Sequence, residues 1–199
     1  MSMRLGIFGG TFNPIHLGHL LLADTARERL QLDRVLFIPT RQPPHKRAAR
    51  LLPGPDRMAL IEAAIRDQPA FVASDIELQR GGVSYSLDTV TALHQQLPMA
   101  KLFLLVGQDM LGVTWRGWKE LTRLATVVAA KRPGAAAGAQ AKGVTWLPMP
   151  LMEVSSSDIR ARVAAGRSIK YLVPAGVARL IRERSWYRRD GPGKGRAGG

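Results

Sequence analysis

Gly9-Gly10-Thr11-Phe12-Asn13-Pro14-Ile15-His16-Leu17-Gly18-His19 decides how this chain is read. The apolar run Leu5, Ile7 and Phe8 precedes it, and an amphipathic segment from Leu20 to Leu30 follows. The order is strand, glycine-rich turn, helix. Such a turn leaves backbone N–H groups bare beside a helix N-terminus, where anions are favoured. His16 and His19 stand three positions apart and so share one face of the first helical turn. Bare amides beside two imidazoles make a place to hold a polyphosphate. Gly9 and Gly10 allow close approach of a ligand. The pattern is neither Gly-x-Gly-x-x-Gly nor a Walker A loop, which requires Gly-Lys-Ser/Thr. Nor is it a metal pair, because HExxH is absent and no third ligand lies at helical spacing.

Working outward, β-type runs alternate with helical ones. Strands are expected at Arg4–Phe8, Arg34–Ile38, Phe71–Ser74, Leu102–Val106, Thr126–Ala130 and Val144–Leu147. Helices are expected at His19–Leu30, Pro55–Arg66, Ser86–Gln96, Trp118–Arg123, Ser156–Ala165 and Pro174–Arg184. The alternation predicts an α/β fold, a Rossmann-like parallel sheet with helices on both faces. Leu102-Phe103-Leu104-Leu105-Val106 is apolar on both sides, as a central parallel strand requires. In such sheets ligands bind beyond the carboxyl ends of the strands, at the switch point.

Composition sets the frame. The chain has 199 residues, 46% of them hydrophobic, and no cysteine. One domain is expected over residues 1–187, with a small C-terminal helical part. Disulfides and thiolate metal sites are excluded. The start, Met-Ser-Met-Arg-Leu-Gly, runs into a strand and does not read as a signal peptide. A cytoplasmic protein with no membrane partner is expected. The net charge of +14 points to anionic partners. There is no zinc-finger spacing and no RNP-type aromatic pattern, so nucleic acid is the lesser alternative. Arg41–Pro55 and Pro133–Gly143 read as loops, and 188–199 as a disordered basic tail. A homo-oligomer is compatible with the sequence, which does not specify one.

Further constellations carry chemistry. Val154-Ser155-Ser156-Ser157-Asp158-Ile159-Arg160 reads as a second helix start, with Ser as N-cap and Arg160 one turn in. Pro43-Pro44-His45-Lys46 places Lys46 on a loop able to close over phosphates. Gly107-Gln108-Asp109 follows the central strand, where a carboxylate could accept ribose hydroxyls or could cap a helix. Trp115 and Trp118 could be core, or could stack on a flat ring.

These segments, with Phe37-Ile38-Pro39-Thr40, Ser84-Tyr85-Ser86-Leu87-Asp88-Thr89, Lys131-Arg132-Pro133-Gly134 and Tyr171-Leu172-Val173-Pro174, resemble the bacterial nicotinate-nucleotide adenylyltransferase family. Order and spacing agree to about Tyr187. The resemblance implies adenylyl transfer from ATP to nicotinate mononucleotide, giving deamido-NAD and pyrophosphate. It implies Mg²⁺, held mainly by the ATP phosphates. It also implies an ATP site of Gly9, Gly10, Thr11, Phe12, His16, His19, Gly107, Asp109, Ser156, Ser157 and Arg160. Asn13, Lys46, Tyr85, Ser86 and Trp115 would meet the nicotinate nucleotide. His16, His19, Lys46 and Arg160 would carry catalysis. Ser86 and Ser157 stand where the family usually has Thr; each keeps the hydroxyl. Phosphopantetheine adenylyltransferases share the histidine pair, but Asn13 replaces their Asp and the Pro-Pro-His-Lys loop favours the nicotinate enzyme. Nicotinamide mononucleotide is the other candidate acceptor.

Overall fold

The computed structural model describes residues 2–43, 51–112, 114–131, 143–150 and 152–188. The chain runs β1 (Arg4–Gly10), α1 (Leu17–Arg29), β2 (Arg34–Pro39), α2 (Gly54–Ile65), β3 (Phe71–Ala73), α3 (Ile76–Arg80), α4 (Ser86–Gln96) and β4 (Lys101–Val106). A short 3-10 helix (Gln108–Gly112), α5 (Trp118–Leu124), β5 (Ala125–Lys131), β6 (Val144–Pro148), α6 (Ser156–Ala164) and α7 (Ala175–Glu183) complete it. Every expected strand and helix is present, within a few residues of its expected ends.

The six strands form one parallel sheet in the order β3-β2-β1-β4-β5-β6. The sheet is therefore doubly wound, with its switch point between β1 and β4. β4 shows why. Phe103 and Leu105 enter one core, with Leu22, Ala26, Leu60, Ile159, Val177 and Ile181 from α1, α2, α6 and α7. Leu102, Leu104 and Val106 enter the other, with Val90 and Leu93 of α4 and Leu121 of α5. The two-residue alternation of a strand turns one apolar run into two buried faces.

Pairing of β1 with β4 ends at Ile7↔Leu104. Beyond it, β1 continues against β2 as far as Gly10↔Pro39, while β4 continues against β5 to Val106↔Ala129. The two central strands thus part at their carboxyl ends, and a crevice opens there.

Two local departures have simple causes. Helix α1 begins at Leu17, two residues before the expected His19, with His16 in extended geometry as its N-cap. Helix α3 was not expected, because five residues are too few to carry a periodic signal. Residues 44–50 and 132–142, within two of the expected loops, and the tail from 189 lie outside the described residues.

Candidate active site

The glycine-rich turn lies at the mouth of the crevice. Gly9 is exposed, and a Cβ built on it would meet nothing within 4 Å. The fold therefore does not require glycine there, whereas close approach of a ligand would. Phe12 is different. Its side chain is wholly buried against Phe8 and Phe37, with the His19 ring 5.1 Å away. Only the backbone of Phe12 is left to face a nucleotide.

The histidines form a stacked pair, with ring centroids 3.6 Å apart and planes 27° from parallel. The backbone N–H of His16 donates to Nδ1 of His19 at 3.2 Å. That bond fixes the tautomer: with Nδ1 an acceptor, the neutral ring carries its proton on Nε2. Burial pushes His16 down from 6.5 to about 4. Burial also pushes His19 well below its ordinary value, and the neighbouring His16 adds to the effect. With both shifted below the ordinary value, the two rings are neutral at pH 7, and the stack disfavours charging both at once. Gly18 makes the stack possible. A Cβ there would meet Val154 at 3.0 Å and the His16 ring at 3.2 Å.

The second helix start reaches the same turn. Ser155 caps α6, its Oγ accepting from the N–H of Asp158. Arg160 donates from one guanidinium nitrogen to the carbonyl of Asn13 at 2.7 Å and from the other to Oγ of Ser157 at 3.2 Å. Ser156 donates to the carbonyl of Pro14 at 2.8 Å, so its hydroxyl is engaged inside the protein. The N–H of Leu17 donates to the carbonyl of Leu172. Thus Arg160, 141 positions after His19 in the sequence, rests on the residue three before His16.

Asn13, expected among the nucleotide contacts, is 3% exposed. Its Oδ1 accepts from the hydroxyl of Tyr187 at 2.8 Å and from the N–H of Leu52 at 3.3 Å. Its side chain braces the turn from within. Tyr187 is a residue the sequence did not single out, and an aromatic beside Trp186 near the end of the chain gives no signal of such a role.

A third group gathers at the start of α4. Tyr85 is the residue before that helix and Ser86 its first. The guanidinium of Arg116 lies over the Tyr85 ring at 4.8 Å and 3.8 Å from a carboxylate oxygen of Asp88. Next to it, Trp115 packs edge-on against Trp118 and donates its indole N–H to the carbonyl of Met110 at 2.7 Å. Arg116 thus sets a cation over Tyr85 at the start of α4, and Trp115 is its neighbour in the chain. Beneath α4, Glu77 is buried and accepts from Thr89 at 2.7 Å. Burial raises its carboxyl above the usual range. Gly107 directly follows β4, and the side chain of Asp109 lies outside the described residues, as does Lys46.

Residues 7–162 match the family described as cytidylyltransferase-like. A protein of Shouchella clausii (strain KSM-K16), named "Probable nicotinate-nucleotide adenylyltransferase", is 46% identical over 186 residues, covering 92% of this chain and 96% of its own. The chain belongs to the nicotinate-nucleotide adenylyltransferase family. A member from Exiguobacterium sibiricum, with the same name, is 44% identical over 191 residues and covers 93% of this chain and 99% of its own. The fold is also that of Plasmodium falciparum nicotinic acid mononucleotide adenylyltransferase, solved in complex with NaAD. That structure covers 93% of this chain and 97% of its own at a TM-score of 0.78 and 15% identity.

Proposed function

We propose that the chain transfers the adenylyl group of ATP to nicotinate mononucleotide, producing deamido-NAD and pyrophosphate for NAD biosynthesis. The observation that carries the reading is the meeting of His19, Arg160 and the Gly9–Pro14 turn at the switch point of a sheet whose family performs this chemistry.

An oxygen of the mononucleotide's 5′-phosphate attacks the α-phosphorus of ATP. The bond from that phosphorus to the α,β-bridging oxygen breaks, and pyrophosphate leaves with the electron pair. A phosphate monoester is largely ionised at pH 7, so no strong base is needed. The protein contributes position and charge stabilisation.

His19, its Nδ1 occupied, donates from Nε2 to an α-phosphate oxygen. His16 serves the neighbouring oxygens. Gly9, Gly10, Thr11 and Phe12 offer backbone approach. Arg160, with Lys46 of the loop outside the described residues, offsets charge on the leaving pyrophosphate. Ser157 and the α6 start support the same end. Tyr85, Ser86 and Trp115 receive the nicotinate ring. Gly107 and Asp109 lie on the adenosine side. Mg²⁺ arrives as part of the nucleotide substrate, bound by phosphate oxygens and water. Among the described residues no three His, Cys, Asp or Glu side chains are grouped to hold a metal ion. Among them, too, no helix is long and apolar enough to cross a membrane.

Pyrophosphate release with ATP tests this, comparing nicotinate mononucleotide, nicotinamide mononucleotide and phosphopantetheine as acceptors. Nicotinate mononucleotide should give the highest kcat/KM. Preference for another acceptor would reassign the substrate. No release with any of them, together with salt-sensitive retention on DNA, would favour a nucleic-acid-binding module.

A further inference from the structure

Arg57 of α2 is 1% exposed, and its side chain is among the largest wholly enclosed by the fold. It donates from Nε to the carbonyl of Leu52 at 2.9 Å and from a terminal nitrogen to the carbonyl of Thr11 at 3.0 Å. Among the described residues no carboxylate forms a salt bridge with it. Burial lowers its pKa, partly offset by the nearby Tyr187 hydroxyl and Glu77. A buried guanidinium bonded only to neutral carbonyls is expensive for a fold to keep. Such groups concentrate at functional sites.

Its placement supplies the reason. The turn from Thr11 to Pro14 has carbonyl oxygens as well as N–H groups, and a carbonyl turned to the crevice would repel phosphate. Three of those oxygens are held by donors from distant elements: Thr11 by Arg57, Asn13 by Arg160, Pro14 by Ser156. Two of the three donors are cations. Arg160 is partly exposed, whereas Arg57 is buried.

We infer that Arg57 is a positioning residue for the triphosphate. It turns the Thr11 carbonyl inward, away from the crevice. Among the described residues its charge has no salt-bridge partner, so that a bound polyphosphate adds to Glu77 as counter-charge. This rests on the adenylyl-transfer reading for the identity of the anion, but not for the electrostatics.

The test compares the full-length wild type with Arg57→Met and Arg57→Lys, by calorimetric titration with MgATP and by steady-state pyrophosphate release. Arg57→Met should weaken ATP binding and lower kcat/KM for ATP by about 10-fold or more, with the KM for nicotinate mononucleotide changed much less. Arg57→Lys, which keeps the charge, should recover most of the loss. A residue that only supports the fold would lower the melting temperature and leave the ATP dissociation constant of the folded protein unchanged; that result overturns the proposal. If Arg57→Met does not fold, Arg57→Gln, which keeps one donor, carries the same comparison. Failure of both to fold makes Arg57 structural and also overturns it. Wild-type protein that binds ATP but releases no pyrophosphate would sink the adenylyl-transfer reading while leaving the binding comparison to decide Arg57.

Discussion

Replacing Gly9 by alanine separates what the fold needs from what the ligand needs. Gly9 sits in β1 opposite Ile38 of β2, and its φ is outside the left-handed region. The added methyl would meet no protein atom within 4 Å. Folding should therefore tolerate the change, and the loss of glycine's flexibility in the unfolded chain should add about 0.4–1 kcal/mol of stability. The same methyl projects into the space where a phosphate approaches the turn. Displacing the reacting group by about 1 Å costs on the order of 10²-fold in rate, or about 2.7 kcal/mol of barrier. Thermal melts read the first effect, and pyrophosphate release with varied ATP the second. Gly10→Ala is the internal control. There a Cβ would meet the buried Phe12 ring at 3.1 Å, so stability should fall as well. A Gly9→Ala protein with kcat/KM for ATP within about 3-fold of wild type would refute the close approach at this position.

Other outcomes follow from the same geometry. His19→Ala should lower kcat by roughly 10²–10³-fold, as loss of a donor to developing charge does, while its melting transition moves far less; near wild-type turnover at saturating substrates would remove His19 from the chemistry. The buried His16, at about 4 instead of 6.5, takes up a proton in the unfolded chain before it does so in the folded one. Its contribution is therefore complete above about pH 6.5 and is lost as pH falls toward 4, on the order of 3 kcal/mol. Melts of wild type and His16→Asn across pH 7 to 4.5 should show a shallower acid slope in the variant, and equal slopes would contradict the burial effect. Arg116→Gln should raise KM for nicotinate mononucleotide more than for nicotinamide mononucleotide, because the removed cation neighbours Tyr85 and Trp115; equal effects on both acceptors would place the cation away from the carboxylate.

The sheet was legible because its determinants are local in sequence. The doubly apolar run from Leu102 to Val106 requires helices on both faces, and the glycine turn after Phe8 marks the first crossover. The histidine pair was legible from spacing alone. What escaped notice depends on contacts between distant segments. Asn13 lies in the expected motif, yet its side chain is taken by Tyr187, 174 positions away. Arg57 reads as one basic residue in an amphipathic helix, and only the approach of the Thr11 carbonyl gives it a purpose. Arg116 gains its place from the turn that lays it over Tyr85. The hydroxyl of Ser156 could equally have faced a phosphate; the carbonyl of Pro14 claims it.

The most direct measurement is a crystal structure of the chain with a non-hydrolysable ATP analogue. The triphosphate should lie in the crevice between β1 and β4, with an α-phosphate oxygen accepting from Nε2 of His19 and the terminal phosphates within reach of Arg160. A triphosphate bound elsewhere, touching neither residue, would contradict the proposed site outright.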